Sequence, residues 1–100
     1  MTKAEFEAAV DSVHIDAGIY YSIPGKCPYR LYKCHKELPN QLILGPSPLE
    51  LSIEFEYLGQ LHVLAPWYHA PSDAALVVRI EGKEYHPTRV VIENGQIVLF

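Results

Sequence analysis

Residues 49–57 read LELSIEFEY, in which Leu49, Leu51, Ile53, Phe55 and Tyr57 alternate with Glu50, Ser52, Glu54 and Glu56. Period two is the period of a β-strand, whose successive side chains leave on opposite faces. The pattern therefore predicts a strand with its apolar set inward and its acids in water. Near the N-terminus the spacing is different: Phe6, Ala9, Val10 and Val13 recur at i, i+3, i+4 and i+7, the stripe that a helix lays on a core. Thr2 and Glu5 stand three apart at the head of this stripe. That is the capping-box spacing, in which each side chain satisfies the other residue's free backbone N–H, so a short helix is expected to begin there.

After Gly18 the pattern turns to β structure. Residues 19–23 (IYYSI) are β-branched and aromatic, and Pro24-Gly25-Lys26 turns the chain back through 29–34 as a hairpin. Leu31, Cys34, His35 and Leu38 also fit a helical stripe between Pro28 and Pro39, so residues 28–38 stay open between strand and helix. Gly45-Pro46-Ser47-Pro48 reads as a loop. Beyond the break at Leu58-Gly59-Gln60, residues 61–65 are expected to return antiparallel to the acidic strand. Residues 75–80 make a further strand, turned by Glu81-Gly82-Lys83, and 90–92 meets 97–99 across Asn94-Gly95. Asn-Gly is a strong hairpin signal because both residues tolerate the positive φ of a type I′ turn. The expected fold is α+β, mostly β: a short N-terminal helix packed on a small antiparallel barrel or sandwich of six to seven strands.

Composition narrows the setting. One hundred residues with 49% hydrophobic and 20% charged content suit a single domain, 1–100, with one modest core. Eight basic residues, scattered along the chain, stand against twelve acidic ones. That balance lacks the basic stripe of a nucleic-acid or membrane-surface binder. The opening MTKAEFEAAV carries acids where a signal peptide needs apolar residues, and no apolar run approaches the ~20 residues of a membrane span. A soluble protein made inside a cell is expected.

The candidate chemistry is sparse. KCPYRLYKCHK, residues 26–36, holds both cysteines and His35, but six residues separate Cys27 from Cys34 where zinc sites draw on Cys-x(2–4)-Cys pairs. A tetrahedron closed by His62, His69 or His86 is the outside reading. The expectation is free thiols, with Cys34 a small core residue and His35 at a strand end, and no metal or other cofactor. His14 and Asp16 lie two apart, yet no nucleophile motif accompanies them, and no glycine-rich phosphate loop is present. No catalytic residue is assigned. The segment PWYHAP, 66–71, is different: it gathers the only Trp with Tyr68 and His69 between two prolines. Trp and Tyr are favoured interface anchors, although Trp67 suits the end of a core equally well. The candidate partner-binding set is therefore Trp67, Tyr68 and His69 with the acidic row Glu50, Glu54 and Glu56.

FEAAVDSVHIDAGIYYSIPGKCPYRL resembles the opening of the small tailed-phage head-to-tail joining proteins of the lambda type: a short helix, an Asp-Ala-x-x-Tyr step into a first strand, then a glycine turn. LVVRIEGKEYHPTRVVIENGQIVLF is similar to that family's ending, with its strand, glycine before an aromatic, strand, polar-glycine turn and last strand. Together these stretches cover about half the chain. The resemblance implies a non-enzymatic structural protein of a phage or prophage particle. Such a protein joins the portal or connector to tail components, forms a ring on assembly, and passes from host cytoplasm into the virion. The competing class is a small soluble interaction protein, such as an inhibitor or immunity module, that grips its partner through the Trp67 loop. A weaker third reading is an enzyme or metal binder around Cys27, Cys34 and the histidines.

Overall fold

The computed structural model describes residues 1–46 and 53–100. Helix α1, Lys3–Ala9, begins with the expected capping box: Thr2 Oγ1 accepts the Glu5 N–H at 3.1 Å, and Glu5 Oε1 accepts the Thr2 N–H at 2.9 Å. The Thr2 backbone N–H, and after it the Thr2 hydroxyl, hold the Glu5 carboxyl below its ordinary pKa. The next free amides of the first turn, those of Lys3 and Ala4, donate to the carbonyls of Ala74 and Ser72 at 2.8 and 2.9 Å. The helix start is thereby tied to a distant loop as well as capped. Phe6 and Val10 are buried, whereas Ala9 is exposed because the helix ends before its stripe widens.

Among the described residues nine strands form two mixed sheets in a sandwich-like arrangement that does not close into a barrel. The first sheet has the order β2-β1-β9-β8, with β1 Ile19–Tyr21, β2 Tyr29–Leu31, β8 Val90–Glu93 and β9 Gln96–Leu99. The second has the order β5-β3-β4-β6-β7, with β3 Lys33–Leu38, β4 Gln41–Gly45, β5 Ile53–Glu54, β6 Ala75–Ile80 and β7 Lys83–Tyr85. Two antiparallel hairpins make up most of each sheet, joined by one central parallel pair, β1 with β9 and β4 with β6. The expected all-antiparallel pairing is corrected at those two seams.

β2 and β3 are almost one strand. At Tyr32 the segment leaves the first sheet for the second: the Tyr32 N–H donates to Gly45 O at 3.1 Å and its carbonyl accepts from Phe55 N at 2.8 Å. A strand that changes sheets in this way makes a corner of a sandwich. Residues 28–38 are thus extended. The helical alternative loses to the ladder that pairs Lys33, Cys34, His35 and Lys36 with Gly45, Leu44, Ile43 and Leu42.

Two turns with paired positive φ lie where the sequence placed turns. Asn94 and Gly95 have φ of 49° and 75°, and Glu81 and Gly82 have 51° and 80°, the backbone of type I′ hairpins. Between the sheets and beneath the helices, Phe6, Ile19, Leu31, Cys34, Leu42, Leu44, Leu61, Leu76, Val78 and Ile97 belong to one buried cluster.

Three expectations are corrected. Residues 61–65 do not form a strand: helix α2, Leu58–Val63, is followed by helix α3, Ala65–Tyr68. Leu58 and Leu61 are buried one helical turn apart, and Gln60 Oε1 reaches back to accept the N–H groups of Glu56 and Tyr57 at 2.6 and 3.3 Å, so the helix start is satisfied as a strand edge would not be. The long acidic strand is reduced to Ile53–Glu54 among the described residues, with Leu49, Glu50, Leu51 and Ser52 lying outside them. Of its inward set Phe55 is buried, while Ile53 and Tyr57 are 42% and 37% exposed; β5 is an edge strand and Tyr57 already caps α2. Finally, β4 was not anticipated as a strand at all.

Candidate functional site

Where β2 bends at Tyr32 and β5 runs into α2, the surface opens into a groove of about 750 Å³ lined by Arg30, Tyr32, Glu54, Phe55, Glu56, Gln60, Val63 and Leu64. The sheet change at Tyr32 supplies one wall. The abrupt step from strand to helix between Glu54 and Leu58 supplies the other.

Polar groups along the groove are held by their neighbours. The Arg30 guanidinium donates through Nη2 to Glu56 O at 2.9 Å and lies 5.7 Å from the centre of the Tyr57 ring. Its buried Nε has no partner among the described residues. Next to it Lys33, only 7% exposed, pairs its ammonium with the Glu54 carboxylate and stands 5.5 Å from the centre of the Tyr32 ring. Glu54 is largely in water, so the pair is screened on one side and bare on the other. Among the lining residues Arg30 stands with Glu54 and Glu56, and Lys33, from outside the lining, pairs with Glu54. Phe55, Leu64 and Tyr32 also line it, so the groove combines apolar and charged groups.

The expected partner-binding set is divided by the fold. Trp67 is corrected from exposed anchor to core: it is 1% exposed, meets the Phe6 ring edge-on at 5.4 Å and donates from Nε1 to Glu7 Oε2 at 3.4 Å. The physical reason is that 65–68 is a helical turn rather than a loop. Pro66 sits at its start, where a missing N–H costs nothing, and the turn points Trp67 inward and Tyr68 outward. Tyr68 is 69% exposed with its ring edge-on to that of His69, also exposed. Glu54 and Glu56 line the groove; Tyr68 and His69 do not. Glu50 lies outside the described residues.

Sequence reasoning missed Arg30, Tyr32, Gln60, Val63 and Leu64. The available signal was LGQLHVL, whose leucines recur every three residues, a helical spacing, where residues 61–65 are expected as a strand.

The two thiols are free and unlike. Cys27 is exposed near the β1–β2 turn, whereas Cys34 is buried in β3, where burial pushes its pKa up to about 12 and leaves it a poor nucleophile at neutral pH. His35 lies within β3 rather than at its end. His14 Nδ1 accepts the Asp16 N–H at 3.2 Å in an exposed turn, with the carboxylate 3.5 Å away. Among the described residues no three His, Cys, Asp or Glu side chains are grouped to hold a metal ion, and no helix is long and apolar enough to cross a membrane.

Several exposed hydrophobics come from the elements that build the groove, and Val63 lines it. Ile53, Tyr57, Val63 and Tyr68, all exposed, come from the single stretch β5–α2–α3. Exposed Ile15 joins them: the Gly59 N–H donates to Ile15 O at 2.9 Å, and a methyl group on Gly59 would meet Ile15 Cβ at 3.0 Å. No protein-family model, curated protein or solved structure matches the chain.

Proposed function

We propose that the protein is a non-enzymatic binding module that docks another protein on its β5–α2–α3 face, and that it serves as a head-to-tail joining component of a tailed phage or prophage particle. The observation that carries the docking face is the grouping of exposed hydrophobics: of the seven large ones among the described residues, four belong to residues 53–68 and a fifth, Ile15, packs on Gly59. Isolated exposed hydrophobics are ordinary, but several from one stretch, one of them lining a groove, support a contact surface. The phage assignment draws on the resemblance at the two ends of the chain, whose quoted stretches fold into α1 with the β1–β2 hairpin and into the β6–β7 and β8–β9 hairpins. An inhibitor gripping its partner through Trp67 loses its anchor, because that ring belongs to the core.

The test supplies the chain, unmodified or as Val63→Glu/Tyr68→Glu, to a tailed phage whose own joining gene is disrupted. Both side chains are exposed, so the double variant is expected to melt within a few degrees of the parent and to lower joined particles at least ~10-fold. Full joining by the variant overturns the docking face. Heads left tailless by the unmodified protein overturn the phage assignment.

A further inference from the structure

Each sheet has two edges, and three of the four are defended against further strands. β5 holds the ion pair of Glu54 with Lys33, β7 begins with Lys83 and Glu84, and β2 is three residues between Pro28 and the bend at Tyr32. Short length, charge and proline are the usual protections of an edge. β8 has none within Val90, Val91 and Ile92.

Its hydrogen-bonding sense follows from the ladder. Arg89 and Phe100 exchange backbone bonds, at 3.3 Å from Arg89 N and 2.9 Å from Phe100 N. Alternation then aims the backbone groups of Arg89, Val91 and Glu93 at β9, and those of Val90 and Ile92 outward from the sheet. Ile92 lies in register with Ile97, Ile19 and Leu31, each fully buried, yet is itself 44% exposed. The inward row of the first sheet therefore runs off an open edge.

We infer that this edge pairs with the same edge of a second copy of the chain, antiparallel about a twofold axis through Val91. Only this register sets Val90 opposite Ile92 of the other copy at both positions, so that all four outward donors and acceptors on each edge are used. It also sets Arg89 opposite Glu93 of the other copy, twice, on the face shared with Val91. The edge is thus self-complementary in charge, positive two residues before the axis and negative two residues after it, which favours a copy of itself over an unrelated strand. Neither Arg89 nor Glu93 makes an ion pair among the described residues. The Arg89 guanidinium carbon lies 4.4 Å over the centre of the Phe100 ring, and a guanidinium has further N–H donors to offer a carboxylate. The pairing would cover Ile92 and join two four-stranded sheets into one of eight. It is independent of the β5–α2–α3 face.

A strand pair is a small interface, so dissociation falls at about 1 μM to 1 mM and the dimer is concentration-dependent. Sedimentation of the full chain up to about 1 mM is expected to show it. Arg89→Glu and Glu93→Arg, each opposing like charges across the axis, are expected to weaken it at least ~10-fold, and the double exchange Arg89→Glu/Glu93→Arg to restore it. Unchanged thermal melts show that the variants fold. A monomer throughout that range, or a dimer indifferent to the three changes, overturns the proposal.

Discussion

Trp67 and Tyr68 are adjacent, both aromatic and opposite in role. One turn of helix sends Trp67 against Phe6 at 1% exposure and leaves Tyr68 at 69%. Trp67→Ala is expected to cost about 3–5 kcal/mol, from lost transfer energy and the cavity beneath α1. Tyr68→Ala at its exposed site should stay within about 0.5 kcal/mol. Denaturant melts of the two variants measure both; comparable losses would mean that the turn is rotated. The sequence could not separate these residues, because aromatic side chains between prolines satisfy both an interface and a core. What separates them is the phase of a four-residue helix, and that phase is set by the docking of α2 and α3 as a pair. Lys33 makes a similar point: nothing in YKCHK marks it as buried, and only the bend at Tyr32 and the arrival of Glu54 from a distant part of the chain place its ammonium under cover.

The elements divide by how locally they are determined. α1 and the hairpins at Asn94-Gly95 and Glu81-Gly82 were legible because a capping box and a type I′ turn are complete within a few residues. β4 was not, because a strand covered on both faces loses its alternation: Leu42, Ile43 and Leu44 are all fully buried, as are nearly all apolar residues of its parallel neighbour β6. α2 was misread because Leu61, Val63 and Ala65 alternate, while the helical spacing of Leu58, Leu61 and Leu64 runs across the break placed at Leu58-Gly59-Gln60, and the groove escaped notice because its walls come from segments separated along the chain. The closeness of the β4–β6 seam can be tested. A Cβ on Gly45 would stand 2.7 Å from the Arg79 carbonyl oxygen, a backbone atom that cannot swing aside. Gly45→Ala is therefore expected to destabilise by about 1–3 kcal/mol through overpacking, read as a lower denaturant midpoint at constant slope. A loss below about 0.5 kcal/mol, the range of an ordinary surface change, would mean that the two hairpins of the second sheet are free to move apart.

At the scale of the whole molecule, the two halves of the first sheet come from opposite ends of the described chain. β1 lies beside β9, Ile19 against Ile97, and Ser22 donates to Leu99 O at 2.8 Å. Deleting residues 96–100 removes the central strand and exposes the buried Ile19 row along its length. The truncated chain is expected to lose its cooperative melt, and a retained sharp transition would show that the second sheet folds alone. Pairing between such distant segments carries a large closure entropy before any contact offsets it, which slows folding relative to a helical domain of this size. During synthesis the same seam has another effect. The β1–β2 hairpin leaves the ribosome long before its partner exists, and for that interval β1 presents a bare edge of Ile19, Tyr20 and Tyr21 to every neighbouring nascent chain. The β8–β9 hairpin, which follows it along the chain and covers it, acts in the manner of an intramolecular chaperone. A translational pause between the codons of the two hairpins would extend that exposure, so the speed at which the stretch joining them is decoded bears on how much of the protein escapes aggregation.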